Sequence, residues 1–99
     1  MLSNSVFVVI ADITLKPELV EDFKKWFSES NKTISKFSGF VSRRLLETKN
    51  GDHKIIVEFE SQEDFEKMHK SEEHSKLHMQ ARTHMQTIPS PKFFNVVSS

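Results

Sequence analysis

The chain has 99 residues, enough for one domain (1–99) with a single core. Its 14 Lys and Arg residues balance its 14 Asp and Glu residues, so its charge favours neither a nucleic-acid partner nor an anionic membrane. The absence of cysteine excludes disulfides and thiolate sites and suits a cytoplasmic location. No apolar run approaches the roughly 18 residues of a membrane span, and Met1–Ser5 lacks the basic residues of a signal peptide.

The first part of the chain predicts a strand, a helix and a second strand. Val6–Leu15 is rich in β-branched residues and is apolar on both faces over its first half. Pro17 suits the first turn of a helix, where its missing N–H costs nothing, and apolar residues follow at helical spacing to about Phe37. Gly39 is placed to end this helix in a left-handed cap, and Phe40–Glu47 predicts the second strand.

A third strand follows a tight hairpin. Asn50-Gly51 is the strongest hairpin signal in the chain, and the strand is expected to open at Lys54. His53, beside the turn, is expected to be a solvated loop residue. Arg43 and Arg44, in the preceding strand, point to opposite faces. One of them is able to hold an anionic substrate or a propionate, since arginine suits carboxylates, but a surface role is the leading expectation.

The last third of the chain predicts two short helices and a strand. Ser61 and Ser71 are each followed by acidic residues, as is typical of helix N-caps, so two helical pieces should join near Lys70-Ser71. Two prolines are expected to stop the second helix, and a last strand should follow them; these are Pro89, Pro91 and Lys92–Val97.

Four of the five histidines fall between Met68 and Met85, within the two helical pieces. Histidine changes charge near neutral pH and is the commonest metal ligand, so this segment is the first candidate for a site. One helix face carries two of these histidines among apolar residues: His74, Leu77, His78, Ala81 and Met85. His69 and His84 are expected on the rim, and no dedicated metal site is expected because a third ligand is not evident.

The predicted order is β-α-β-β-α-β, an α+β ferredoxin-like sandwich. Two helical segments cover only one face of a four-stranded antiparallel sheet. The other face includes apolar residues of the first strand, and its simplest cover is a second copy of the chain. We therefore expect a homodimer that packs sheet to sheet.

The segment Glu58–Phe65, followed by Met68-His69, Ser71 and His74, resembles the antibiotic biosynthesis monooxygenase superfamily. The similarity includes an H-x4-H spacing from His69 to His74 and Gly39-Phe40 opening the second strand, and it covers nearly the whole chain. The resemblance implies a dimeric α/β barrel, with a ligand cleft between sheet and helices in each subunit.

One branch of this superfamily degrades haem, and the resemblance carries three of its positions to this chain. His78 falls where that branch has its axial iron ligand. Met68 stands where it has a tryptophan, and Ala11 stands where it has an asparagine. The resemblance therefore keeps haem as an alternative cofactor but does not favour haem cleavage.

The other relevant branch is cofactor-free and oxidises electron-rich polycyclic phenols or quinols with molecular oxygen. The leading expectation is a monooxygenase of this kind, with a small flat aromatic substrate and with His78 or His74 as base or polar contact. Its pocket is expected to be lined by Phe23, Trp26, Met68 and Leu77. The alternatives are a haem-binding protein with iron on His78 and a non-catalytic module that binds a small ligand.

Overall fold

The computed structural model describes residues 6–99, so the expectation for Met1–Ser5 lies outside the described residues. A 3-10 turn at Pro17–Leu19 precedes the first α-helix. The α+β order matches the predicted ferredoxin-like pattern, with the second helix divided in two. The elements are β1 (Phe7–Ile13), α1 (Val20–Ile34), β2 (Phe40–Glu47), β3 (His53–Phe59), α2 (Gln62–His69), α3 (Glu72–Arg82) and β4 (Ser90–Asn95).

The four strands form one antiparallel sheet in the order β2-β3-β1-β4. The helices pack on one of its faces. Two clusters of apolar side chains fill the space between the layers, one around Phe59 and Met68 and the other around Phe23 and Phe27. Among residues 6–99, no helix is both long and apolar enough to cross a membrane.

The two predicted serine N-caps are confirmed. The Ser61 hydroxyl accepts a hydrogen bond from the Asp64 N–H at 3.1 Å, and the Ser71 hydroxyl accepts one from the His74 N–H at 3.1 Å. Each serine thus satisfies a donor that the first helical turn leaves unpaired. Gly39 has the expected left-handed φ of +80°, but the prediction that it caps the first helix was wrong, because α1 ends at Ile34 and its C-cap is Ser35.

Two predicted boundaries near the C-terminus were also wrong, the end of the last helix and the start of the last strand. The last helix ends at Arg82, well before the prolines, because the chain then pairs with the segment after β1: the Gln86 N–H donates to the Thr14 carbonyl at 2.8 Å. The last strand begins at Ser90 and contains Pro91. Because β4 is an edge strand, a proline there need not remove a ladder hydrogen bond.

The prediction that His53 is a solvated loop residue was wrong. His53 is the first residue of β3 and is only 6% exposed. The tight hairpin places it opposite Glu47, and its Nε2 lies 2.8 Å from the Glu47 carboxylate. This hydrogen bond, with a second one from Lys24, lowers the pKa of the Glu47 carboxyl.

The sheet face away from the helices carries an apolar strip between polar pairs. Val8 and Ile10 lie on this face of β1, with Ile56 and Phe94 opposite them on the neighbouring strands. Phe94 is 45% exposed. This is the bare face that the sequence pattern predicts.

Candidate functional site

A cavity of about 210 Å³ lies between the sheet and the helices α2 and α3. Its walls are mainly apolar, as is usual for sites that bind small organic molecules. Ile88 and Phe93 line it while remaining 69% and 58% exposed, so they mark its mouth. The inner walls are formed by residues of β1, β3, the helices and the segment after α3, including Val9, Val57, Phe65, Ala81 and Met85.

Three histidines form a row along one wall of the cavity. The ring centres of His69 and His74 are 4.5 Å apart, and those of His74 and His78 are 6.0 Å apart with their planes nearly parallel. His74 is half-buried between the two exposed rings. The wall therefore presents several imidazole nitrogens to whatever the cavity holds.

Burial and neighbouring positive charge keep the middle ring neutral. They lower the pKa of His74 from its ordinary value of 6.5 to about 4; burial is the larger cause, followed by the charges of His69, His78 and Arg43. Burial also lowers the pKa of His69, with a smaller contribution from His78. At pH 7 His74 is therefore uncharged, able to donate through one ring nitrogen and accept through the other.

Arg43 supplies a fixed positive charge at the cavity wall. Its Nη1 donates to the Ser30 hydroxyl and to the Asn31 side-chain oxygen, both at 2.7 Å, and its guanidinium lies 4.1 Å from the centre of the Phe27 ring. Burial lowers its pKa to about 10. The expected surface role was wrong for Arg43 and right for Arg44, which pairs with Glu58 at 3.2 Å on the opposite face.

Trp26 closes the cavity on the side of α1. Its indole N–H donates to the Gln80 side-chain oxygen at 2.7 Å, which ties α1 to α3. The neighbouring residue Phe27 is buried in the core, so only one of these two aromatic side chains reaches the cavity.

Five of the six site residues predicted from the sequence line this cavity: Trp26, Met68, His74, Leu77 and His78. Phe23 does not line it. Phe23 is fully buried behind Trp26, with the two ring centres 5.3 Å apart, because it lies three residues earlier on α1 and faces the second core cluster.

The sequence reasoning missed one residue of the site, Arg43. Arg43 was expected at the surface, although its alternation with Arg44 already required one of them to face the helices. His69 reaches the cavity rim as a third member of the histidine row, whereas His84 packs against Trp26 and lies outside the cavity.

Among residues 6–99, no group of three or more histidine or acidic side chains is arranged to hold a metal ion.

The three positions that the resemblance carries over from the haem-degrading branch lie around the same cavity: Ala11, Met68 and His78. The cavity does not fit the group. Its volume of about 210 Å³ is below the roughly 300–1,000 Å³ of common ligand pockets, and a porphyrin is a large ligand. The His78 ring is stacked beside the His74 ring, so it does not face a flat open space that would take the porphyrin plane.

Residues 6–80 match the family model described as antibiotic biosynthesis monooxygenase. The fold is also similar to solved structures. A cofactor-independent oxygenase from Streptomyces nogalater, SnoaB, aligns with a TM-score of 0.81 at 13% identity, covering 98% of this chain and 97% of that one. A structure from Caulobacter crescentus, described as an antibiotic biosynthesis monooxygenase, gives 0.84 at 15% identity, covering 96% and 92%.

A conserved protein from Methanosarcina mazei gives a TM-score of 0.83 at 12% identity, covering 92% of each chain. None of the curated proteins compared with the chain matches it significantly. At such low identities the structural likeness establishes the fold, and any role of the cavity has to be argued from its own residues.

Proposed function

Because the chain belongs to the antibiotic biosynthesis monooxygenase family, we propose that it is a cofactor-free monooxygenase acting on a compact phenol or quinol. The observation that carries the proposal is the apolar cavity with a histidine row along one wall. A volume of about 210 Å³ favours a substrate of one or two fused rings over a large polycycle.

The histidine row gives this cavity a means of activating such a substrate. Removal of the phenolic proton produces an electron-rich anion that can pass an electron to oxygen without a cofactor. His78 is the better placed acceptor, because it lines the cavity while remaining exposed and can release the proton to water. His74, whose low pKa makes it a weak base, serves as a hydrogen-bond partner that positions the substrate oxygen.

The proposed reaction balances without an external reductant. A phenol with a hydrogen at the para carbon takes up one molecule of oxygen. One oxygen atom becomes the new ring carbonyl, and the other leaves as water with the phenolic and the para hydrogen. The substrate supplies all four electrons and is released as a quinone. The apolar walls exclude water from the anion while it reacts.

The test uses 1-naphthol and measures oxygen uptake together with 1,4-naphthoquinone. We expect equal amounts of oxygen consumed and quinone formed. We expect His78→Gln to reduce the rate by roughly 10²- to 10⁴-fold, the usual contribution of a general base. His84→Gln is the matched control, because His84 belongs to the same segment but lies outside the cavity. No turnover of 1-naphthol or related one- and two-ring phenols, or equal rates in both variants, would refute the proposal.

We also propose that the protein is a homodimer joined through the bare sheet face. The apolar strip of Val8, Ile10, Ile56 and Phe94 supplies the contact, and polar pairs such as Arg44 with Glu58 border it. Phe94 is exposed, Ile10 and Ile56 are half-buried and Val8 is buried within the chain, and an apolar face that remains partly exposed is typical of an interface. Sedimentation at micromolar concentration should give a dimer, and Ile10→Glu should shift it toward monomer. A purely monomeric profile of the unmodified protein contradicts the proposal.

A further inference from the structure

None of the ionisable side chains that line the cavity is acidic. Its lining includes Arg43 and the three histidines of the row, but no Asp or Glu side chain. Among residues 6–99, none of the ion pairs within 4.0 Å includes Arg43. A partly buried guanidinium without an anionic partner is costly, since its two acceptors, Ser30 and Asn31, are neutral.

Arg43 also has hydrogen-bonding capacity to spare. A guanidinium has five N–H donors, and both bonds that this one makes go through Nη1. Among the described residues, no side-chain nitrogen sealed from solvent lacks a partner. The Nε and Nη2 groups, which make no hydrogen bond within the described part of the chain, must therefore open onto accessible space. Arg43 lines both this cavity and a second cleft between α1 and β2, and on the cavity side the centre of the Trp26 indole lies 5.9 Å from the guanidinium.

We propose that Arg43 is an anion-binding residue of this cavity and that the preferred ligand is an aromatic acid, whose ionised oxygen lies between the Arg43 guanidinium and the His74 ring. This inference rests on the cavity being the ligand site proposed above. The guanidinium is held in place by α1 and by the Phe27 ring, so a carboxylate or an acidic phenolate meets a donor pair that is already oriented.

The neutral His74 ring completes the site. It donates one N–H to the bound oxygen, and the anion in turn offsets the positive charge of Arg43 that disfavours protonation of this ring. The aromatic ring of the ligand packs against the apolar walls, and the contact of its anionic group with Arg43 sets its orientation.

The experiment compares three probes that share one ring system: 2-naphthoate, 2-naphthamide and 2-naphthylmethylamine. Calorimetric titration at pH 7 should give 2-naphthoate an affinity roughly ten- to a hundredfold above that of the neutral amide, the range expected for charge-assisted hydrogen bonds. The amine should bind more weakly than the amide. Shift of the indole N–H resonance of Trp26, the chain's single tryptophan, reports that the probe is inside the cavity.

Arg43→Met should abolish the preference for the acid while leaving the amide bound. Arg44→Met is the matched control, because Arg44 is the next residue of the same strand and pairs with Glu58 on the other face. Arg43→Lys, which keeps the charge, should retain part of the preference and replaces the methionine variant if that one does not fold.

The outcomes separate this inference from the proposed function. Equal affinities for 2-naphthoate and 2-naphthamide, with the Trp26 resonance shifted by both, overturn the anion site and leave the aromatic cavity standing. A preference that survives Arg43→Met also overturns it. If neither probe shifts the Trp26 resonance, the cavity is not a ligand site and both proposals fail.

Discussion

Replacing His74 tests whether the middle ring of the histidine row is held neutral by its surroundings. Its pKa is about 4 in the folded protein and 6.5 as the ordinary value. Between these two pH values His74 binds a proton in the unfolded chain but not in the folded protein. Stability is therefore fully present above pH 6.5 and is lost as the pH falls toward 4.

The size of the loss follows from the same two values. Linkage gives a decrease in the free energy of unfolding of about 2 kcal/mol between pH 7.5 and pH 5. Because water reaches the half-buried ring, we expect roughly 1–2 kcal/mol from this residue. His69, whose pKa is also lowered, adds a change in the same direction. A domain of this size has a total stability of about 5–15 kcal/mol, so the change is measurable.

This change in the free energy of unfolding is measured by urea denaturation. The unmodified protein and His74→Gln are compared at pH 7.5 and at pH 5. The unmodified protein should lose more stability than the variant, and the excess is the contribution of His74. Ser75→Ala, an exposed substitution on the same helix, should keep the full pH dependence. If His74→Gln shows the same pH dependence as the unmodified protein, His74 is not the desolvated group and the role given to it here is wrong.

One further prediction concerns Gly39, which lies against the start of α2, and another concerns haem as an alternative ligand of the site. Gly39→Ala should cost about 2–3 kcal/mol in urea denaturation, because the added methyl meets both a left-handed φ and the Asp64 side chain at the start of α2. Gly51→Ala, with a φ of +90° and open space around it, should cost only about 1–2 kcal/mol; equal losses would show that the Asp64 contact is unimportant. Titration with hemin should give no sharp Soret band, since the cavity is small for a porphyrin; a sharp band that His78→Ala removes would reverse that conclusion.

The local signals in the sequence were sufficient for most of the fold. Caps at Ser61 and Ser71, the left-handed Gly39 and the Asn50-Gly51 hairpin act within a few residues, and each appears where predicted. The errors lie where distant strands decide the outcome. The burial of His53 depends on the register of β3 against β2, and a hairpin signal predicts the turn but not which side chain meets Glu47.

The same limit applies to the site. Strand alternation shows that Arg43 and Arg44 face opposite sides, but only the packed helices show that Arg43 is the inner one. Phe23 and Trp26 lie on one helix three residues apart, and periodicity does not separate the residue at the cavity from the residue behind it. Which charged and polar side chains line the cavity is therefore decided by how the sheet and the helices pack together.

The break between α2 and α3 explains how a sequence spacing becomes a site. In one continuous helix, residues five apart are turned by about 140° from each other, so His69 and His74 would point in different directions. The Ser71 cap ends that geometry: its hydroxyl donates to the Met68 carbonyl at 2.6 Å and accepts from the His74 N–H. The new helix then starts with His74 facing back toward His69, and the two rings come within 4.5 Å. His78, one turn further along α3, extends the row along the cavity wall. The serine between the two helices therefore positions the histidines as directly as it starts the helix.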